Sequence, residues 1–130
     1  IIVKNTLVYE FPTNIPIVPG HILIAPIRCV ATWEEMSYNE QHELLRLMEN
    51  LKPVLKKEFG AEGFHVAWNE GVVAGQTVPH FHMHLIPRKK NDTGITGYEP
   101  RKFIYRSGSR EASPEKELQQ VSEAIRKRLQ

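Results

Sequence analysis

The chain has 130 residues, 41% of them hydrophobic and 25% charged, and its formal net charge is +2. These values are ordinary for one globular domain, and they exclude a wholly disordered chain. The small net charge does not support nucleic-acid binding through bulk electrostatics, and no apolar run has the roughly 20 residues that cross a bilayer. The single cysteine, Cys29, excludes a disulfide framework and favours a reducing, cytoplasmic compartment.

The first part of the chain is rich in short apolar runs. Residues 1–3 and 7–9 are β-branched or aromatic, which predicts a hairpin, and we expect a further N-terminal segment before Ile1 because the chain opens within this pattern. The proline-rich residues 11–20 cannot form a helix or a central strand. A strand, residues 22–25, then follows His21.

A long helix is predicted over residues 38–59. Ser37 and Glu40 have the spacing of a capping box, apolar residues recur at helical spacing, and Gly60 is a suitable end. Pro53 lies inside this pattern, so we expect a kink near it. The apolar stripe of this helix is typical of packing on a sheet.

Alternating residues 64–69 predict the next strand, and the loop 71–75 returns the chain antiparallel. Residues 91–100 are a predicted loop. Tyr98, Phe103 and Tyr105 alternate with basic residues and could either stack a base or pack a weak edge strand, of which we favour packing. An amphipathic helix follows Ser113. The element order indicates a single α+β domain over residues 1–130, with a mainly antiparallel sheet, one long helix and a C-terminal helix.

Three histidines in strict alternation are the strongest chemical signal. His80, His82 and His84 alternate with apolar residues, and a period of two predicts that the three imidazoles project from one face of a strand. The pattern leaves three interpretations open: a polar strand face without function, a partial zinc site, or phosphate chemistry with a nucleophilic histidine. A nucleophilic imidazole needs one unprotonated nitrogen, with the other donating to a fixed acceptor such as a backbone carbonyl.

The run His80-Phe81-His82-Met83-His84-Leu85-Ile86 resembles the signature of the histidine triad family, in which histidines alternate with apolar residues. Residues 74–78, Ala-Gly-Gln-Thr-Val, are similar to the loop before that signature, and residues 19–21, Pro-Gly-His, to its upstream strand. The Gly-Gln-Thr-Val sequence and the Pro-Arg after the triad most resemble the fragile histidine triad and diadenosine polyphosphate hydrolase branch.

This resemblance implies a nucleotide hydrolase or transferase that acts at an α-phosphate, most simply of a dinucleoside polyphosphate. His82 would be the nucleophile, with Nδ1–H donating to the carbonyl of His80 and Nε2 forming a nucleotidyl-histidine that water resolves. His84 would donate to the phosphate oxygens or to the leaving group, and His80 would orient the network.

The resemblance also implies contacts to the substrate. Gln76 and Thr77 would hold the phosphate chain, Asn69 and Asn14 would contact the nucleotide or its ribose, and His21 would lie among these residues beside the triad. No resident metal or cofactor is expected, although a divalent ion such as Mg²⁺ can accompany the polyphosphate. The family pattern further implies a homodimer, and the expected ligand is a small nucleotide rather than nucleic acid.

Three alternatives stay open at this point. One is a purine nucleoside phosphoramidase of the same family. Another is a metal-dependent hydrolase that uses the three histidines as ligands. The third is a nucleotide-binding protein without catalytic activity.

Overall fold

The computed structural model describes residues 2–94 and 114–130, and the structural statements below concern these residues. Five strands form one antiparallel sheet in the order β1-β2-β3-β5-β4. The elements are β1 (Val3–Lys4), β2 (Val8–Pro12), β3 (Ile22–Pro26), α1 (Tyr38–Phe59), β4 (Gly63–Ala67), β5 (Met83–Arg88) and α2 (Glu115–Leu129). The predicted α+β class is confirmed. The predicted edge strand with Tyr98, Phe103 and Tyr105 lies outside the described residues.

The two helices lie on one side of the sheet. Helix α1 packs across β2, β3 and β5, and α2 packs against α1 and β2. Strand residues that face the helices form the hydrophobic core together with the apolar stripe of α1; they include Val8, Ile22, Ile24, Met83, Leu85, Leu44, Leu51 and Leu55. Each buried side chain of this kind contributes about 1.5–3 kcal/mol relative to an exposed one.

Register decides which residues lie on the opposite side of the sheet. Leu23 pairs with His84 and Ile24 pairs with Met83. Since successive side chains of a strand alternate between faces, Leu23 and His84 share the face away from the core. Tyr9 and Phe11 lie on this same face, because they pair with Ala25 and Leu23.

Helix α1 has the boundaries that its local signals predict. The Ser37 hydroxyl accepts from the N–H of Glu40 at 3.1 Å, and the Glu40 carboxylate accepts from the N–H of Ser37 at 2.8 Å. The helix ends at Gly60, which has a left-handed conformation with φ 66°. Helix α1 continues through Pro53, and the kink expected there stays a prediction.

The proline-rich connector ends in a turn that positions the start of β3. Gly20 has φ +90°, and a Cβ atom at this position would lie 2.9 Å from the ring of Phe59 and 3.0 Å from Pro87. Only glycine combines this backbone conformation with such a close approach. Gly20 thereby fixes where His21, the next residue, enters the sheet.

The strand that carries the histidines is shorter than the sequence predicts. Strand β5 begins at Met83, so only His84 of the three histidines lies in the sheet, and the prediction of one strand bearing all three is wrong. The reason is a tertiary contact, because the N–H of Phe81 donates to the carbonyl of Val30 at 2.6 Å rather than to a neighbouring strand. The alternation of faces nevertheless persists, since Phe81 and Met83 are buried in the core.

Candidate active site

The three histidines line one cavity on the sheet face away from the helices. Its volume is about 180 Å³, and its walls come from β2, β3, the loop after β4 and the histidine segment. The described lining residues are Tyr9, Phe11, Leu23, Ala25, Gly75, Thr77, Val78, His80, Phe81, His82 and His84. The structure therefore brings together side chains that are up to 75 positions apart in the sequence.

His80 is held by the end of β3. Its Nε2 atom lies 2.7 Å from the carbonyl oxygen of Pro26. Because a carbonyl can only accept, this nitrogen carries the proton and donates. The half-buried ring is also edge-on to Tyr9, with ring centroids 6.5 Å apart.

His82 is held by the backbone of His80. Its Nδ1 atom lies 2.9 Å from the His80 carbonyl oxygen, so Nδ1–H donates. In the neutral ring the proton is then on Nδ1, and Nε2 is unprotonated and nucleophilic. The backbone acceptor predicted from the sequence is therefore present, at the predicted residue.

His84 and His21 form a buried pair. His21 Nε2 lies 2.9 Å from His84 Nδ1, and the two residues are 1% and 5% exposed. The sequence places His21 among the substrate contacts, but the structure places it behind His84, outside the described lining of the cavity. The ring of His84 in turn lies 5.2 Å, centroid to centroid, from that of His82.

The loop between β4 and the histidines is fixed by Gln76. Its side-chain oxygen accepts from the N–H of Gly71 at 2.8 Å, and its side-chain nitrogen donates to the carbonyl of Ala31 at 2.8 Å. The side-chain amide carries two N–H donors and only one of them is used on Ala31, so a phosphate contact by Gln76 does not require either bond to break. Thr77, the next residue, is exposed and lines the cavity.

The two candidate asparagines lie away from the cavity walls. Asn69 is half-buried just after β4, and Asn14 is exposed in the connector. Neither is among the described residues that line the cavity. Their contacts to nucleotide or ribose stay predictions. Such contacts require a substrate that extends beyond the cavity onto the surrounding surface.

Sequence reasoning missed the aromatic wall formed by Tyr9 and Phe11. The two rings stack with centroids 5.2 Å apart and an interplanar angle of 16°. Between them Glu10 points into the core and is 1% exposed. The alternation of residues 8–11 carried the signal, but a polar residue between aromatic ones suggests the opposite assignment of faces, since carboxylates are rarely buried.

An aromatic cluster packs against the buried side of the histidine segment. Trp33 and Trp68 stack with centroids 5.2 Å apart, and Phe81 is tilted against Trp68 at 5.2 Å. The carboxylate of Glu70 accepts from the N–H of Trp33 at 3.0 Å. These contacts hold the loop after β3 against the histidine segment.

The described residues give no cluster of three or more His, Cys, Asp or Glu side chains arranged for a metal ion. Within the described parts of the chain, no helix has the length and apolarity that crossing a membrane requires.

A family model, described as the HIT domain, matches residues 1–91. The chain belongs to the HIT domain family. This confirms the resemblance to the histidine triad proteins. A solved HIT-like protein from Bartonella henselae has the same fold, with a TM-score of 0.78 at 21% identity over 97% of this chain and 83% of that chain.

Two relatives of this chain are hydrolases by name. The bis(5'-nucleosyl)-tetraphosphatase of Schizosaccharomyces pombe is 42% identical over 77 residues, which are 59% of this chain and 42% of that protein. The bis(5'-adenosyl)-triphosphatase of Dictyostelium discoideum is 33% identical over 113 residues, 85% of this chain and 72% of that protein. These names agree with the branch indicated by the sequence. The chain thus spans less than half the length of the first relative.

Proposed function

We propose that this HIT protein hydrolyses dinucleoside polyphosphates through a covalent nucleotidyl-histidine at His82. The observation that carries the proposal is the 2.9 Å contact between His82 Nδ1 and the His80 carbonyl, which leaves Nε2 as the nucleophilic atom of a ring that lines the cavity. The names of the two relatives support the substrate class.

The reaction divides into two displacements at the α-phosphorus. First, the lone pair of His82 Nε2 forms a bond to phosphorus while the bond to the bridging oxygen breaks, and the leaving polyphosphate keeps that electron pair. Water then attacks the same phosphorus, the P–N bond breaks, the electron pair returns to Nε2, and the water proton passes to solvent. His84 would stabilise the charge that develops on the phosphate oxygens by donating a hydrogen bond.

The stacked rings of Tyr9 and Phe11 would bind the base of the nucleotide that is transferred. The cavity, at about 180 Å³, is smaller than the usual 300–1,000 Å³ of small-molecule sites. It therefore suits one end of a dinucleotide, while the leaving nucleotide would lie outside. Thr77 would contact the phosphate chain from the loop, and Gln76, Asn69 and Asn14 remain candidates that lie outside the described lining of the cavity.

No resident cofactor is part of this proposal. A divalent ion such as Mg²⁺ would act as a counter-charge on the polyphosphate rather than as a ligand of the histidines. The metal-hydrolase alternative is less favoured because the described residues give no group of three or more His, Cys, Asp or Glu side chains placed to hold an ion. The phosphoramidase alternative uses the same nucleophile and differs only in the leaving group.

One substrate panel tests the proposal. Diadenosine triphosphate, diadenosine tetraphosphate, adenosine phosphoramidate and adenylyl-lysine are offered side by side to the native protein, to His82→Ala and to His42→Ala, whose histidine is exposed on α1. We expect the dinucleotides to give the highest kcat/KM, His42→Ala to match the native protein, and His82→Ala to lose at least about 10³-fold in kcat while still binding nucleotide.

Four results would contradict it. Turnover retained in His82→Ala would exclude the nucleophile, and a preference for the phosphoramidate would favour the phosphoramidase. Loss of phosphoramidate turnover in EDTA, where no polyphosphate needs a counter-ion, would favour the metal hydrolase. Tight nucleotide binding without any turnover would indicate a binding protein.

We also propose a homodimer in a reducing, cytoplasmic setting. Strand β4 pairs only with β5 among the described strands, and it leaves Val66 41% exposed at the sheet edge, next to Trp68 at 37%. Pairing two such edges would cover both apolar residues and the unpaired backbone groups. The exposed thiol of Cys29 is compatible with a reducing compartment.

A further inference from the structure

His21 stands outside the chemistry described so far, although it is the most deeply buried histidine of the site. It is 1% exposed, and its two ring nitrogens have partners on opposite sides. The N–H of Ile17 donates to Nδ1 at 3.1 Å, and Nε2 faces His84 Nδ1 at 2.9 Å. Because both nitrogens of this buried ring have partners, the hydrogen bond from the Ile17 backbone determines which nitrogen of His84 can carry a proton.

The Ile17 N–H settles where the protons lie. A backbone N–H can only donate, so His21 Nδ1 must be unprotonated, and the proton of the neutral ring is on Nε2. That Nε2–H then donates to His84, so His84 Nδ1 must also be unprotonated. The proton of the neutral His84 is therefore on its Nε2, and this nitrogen can only donate.

The same contacts disfavour any other state of His84. A proton on His84 Nδ1 would face the Nε2–H of His21, and two donors would point at each other in a buried place. Moving the His21 proton to Nδ1 would relieve that conflict, but it would then face the Ile17 N–H. Each conflict leaves buried donors unsatisfied, which is unfavourable because a buried donor without an acceptor has lost its hydrogen bonds to water.

We propose that His21 is a positioning residue that holds His84 as a neutral ring with its proton on Nε2. This nitrogen is buried in the resting protein, and it donates to the reacting phosphate once substrate binding opens that contact. His21 itself does not touch the substrate. The inference rests on the proposed function for its kinetic consequence, but the proton positions are a property of the resting protein and are measured without substrate.

The kinetic effect should be confined to the chemical step. An oriented donor to the phosphate oxygens stabilises charge that is larger in the transition state than in the ground state, so its loss lowers kcat more than it raises KM. Removing such a donor outright costs about 10²–10³ in rate. Leaving His84 in place with an unfixed proton should cost less, about 10- to 100-fold in kcat.

The experiment measures directly which ring nitrogens carry a proton. Protein labelled with ¹⁵N in histidine is observed by long-range ¹H–¹⁵N NMR, with signals assigned through the variants His21→Leu, His80→Asn, His82→Asn and His84→Asn. We expect unprotonated Nδ1 and protonated Nε2 on His84, and the same pattern on His21. A proton on His84 Nδ1 in the native protein would overturn the proposal, whatever the activity.

Two substitutions of His21 then separate positioning from packing. His21→Leu keeps an apolar side chain but removes the donor, so His84 should exchange between tautomers and kcat should fall about 10- to 100-fold with KM within about twofold. His21→Gln keeps an acceptor and a donor on one amide, so it should retain the His84 tautomer and lose less of kcat.

The outcomes are distinct. Equal losses in both variants with unchanged His84 tautomers would mean that His21 only packs, which overturns the proposal, as would an unchanged kcat in His21→Leu. Melting temperatures of both variants identify a general loss of folding. If the native protein hydrolyses none of the four substrates, the proposed function fails, and the NMR result alone decides the inference.

Discussion

The positions of the protons on the site histidines follow from the neighbouring hydrogen-bonding groups. Carbonyl oxygens of Pro26 and His80 fix the protons of His80 and His82, and the N–H of Ile17 acts on His84 through His21. Such pre-set donors and acceptors need no reorganisation when charge develops on the phosphate. The proposed division of roles, with His82 as nucleophile and His84 as donor, would therefore arise from the hydrogen-bond partners of each ring rather than from residue type.

Glu10 should make stability depend on pH. Burial raises the pKa of this carboxyl from 4.5 to about 8, and the opposing attraction of Arg46 is smaller. Between these two pH values the folded state holds a proton that the unfolded state releases. The contribution of Glu10 to the free energy of unfolding is therefore fully present below about pH 4.5 and is lost as pH rises towards 8. The slope for one proton is at most about 1.4 kcal/mol per pH unit.

Chemical denaturation from pH 4.5 to 9 measures this slope. Glu10→Gln removes the proton and should be flatter than the native protein, and more stable than it above pH 8. Glu49→Gln, an exposed carboxylate on α1, is the control and should keep the native slope. If Glu10→Gln kept the native dependence of the free energy of unfolding on pH, a group other than Glu10 would be responsible for it.

At the level of elements, the turn before β3 should tolerate no side chain. Gly20→Ala places a Cβ against Phe59 and Pro87 and forces an alanine to φ +90°. We expect a loss of about 1–3 kcal/mol in the free energy of unfolding, together with a lower kcat because His21 moves.

Gly63→Ala is the matched control for Gly20→Ala. A Cβ at position 63 meets nothing within 4 Å, so stability should change by less than about 1 kcal/mol and kcat should be unchanged. Urea unfolding and steady-state kinetics on both variants check these expectations. Similar values for Gly20→Ala and the native protein would mean that the turn can relax without cost.

For the whole molecule, the edge strand β4 should control the oligomeric state. The native protein should sediment with twice the 15.0 kDa mass of one chain, and Val66→Lys should shift it towards the monomer, because a charge on an edge strand opposes pairing. Val72→Lys changes an even more exposed valine, at 82%, in the loop after β4 and should stay dimeric. A native monomer would exclude the dimer.

Local signals predicted the helices better than the sheet. Helix α1 starts after Ser37 and ends before Gly60, as the cap residues indicate, because capping bonds join residues close in sequence. The fold class could also be predicted from the order of the elements. The acceptor for His82 could be predicted because the His80 carbonyl lies only two residues away in the sequence.

Long-range contacts explain what sequence reasoning missed. The start of β5 at Met83 depends on the bond from Phe81 to Val30, and the faces of β2 depend on its register with β3. The place of His21 behind His84 joins residues 63 positions apart. Neither the spacing nor the alternation of residues encodes such contacts. The histidine pattern therefore identifies the chemistry of the site but does not assign a role to each histidine.

Trapping the covalent intermediate on His82 tests the central claim most directly. Native protein is mixed with diadenosine triphosphate, denatured within milliseconds at alkaline pH, where a phosphoramidate bond survives, and digested for mass spectrometry. We predict an adenylyl group on the peptide with His82, localised to that residue, and neither adduct nor turnover in His82→Ala. Steady turnover by the native protein with no adduct at any quench time, or with the adduct on a different residue, would contradict the account.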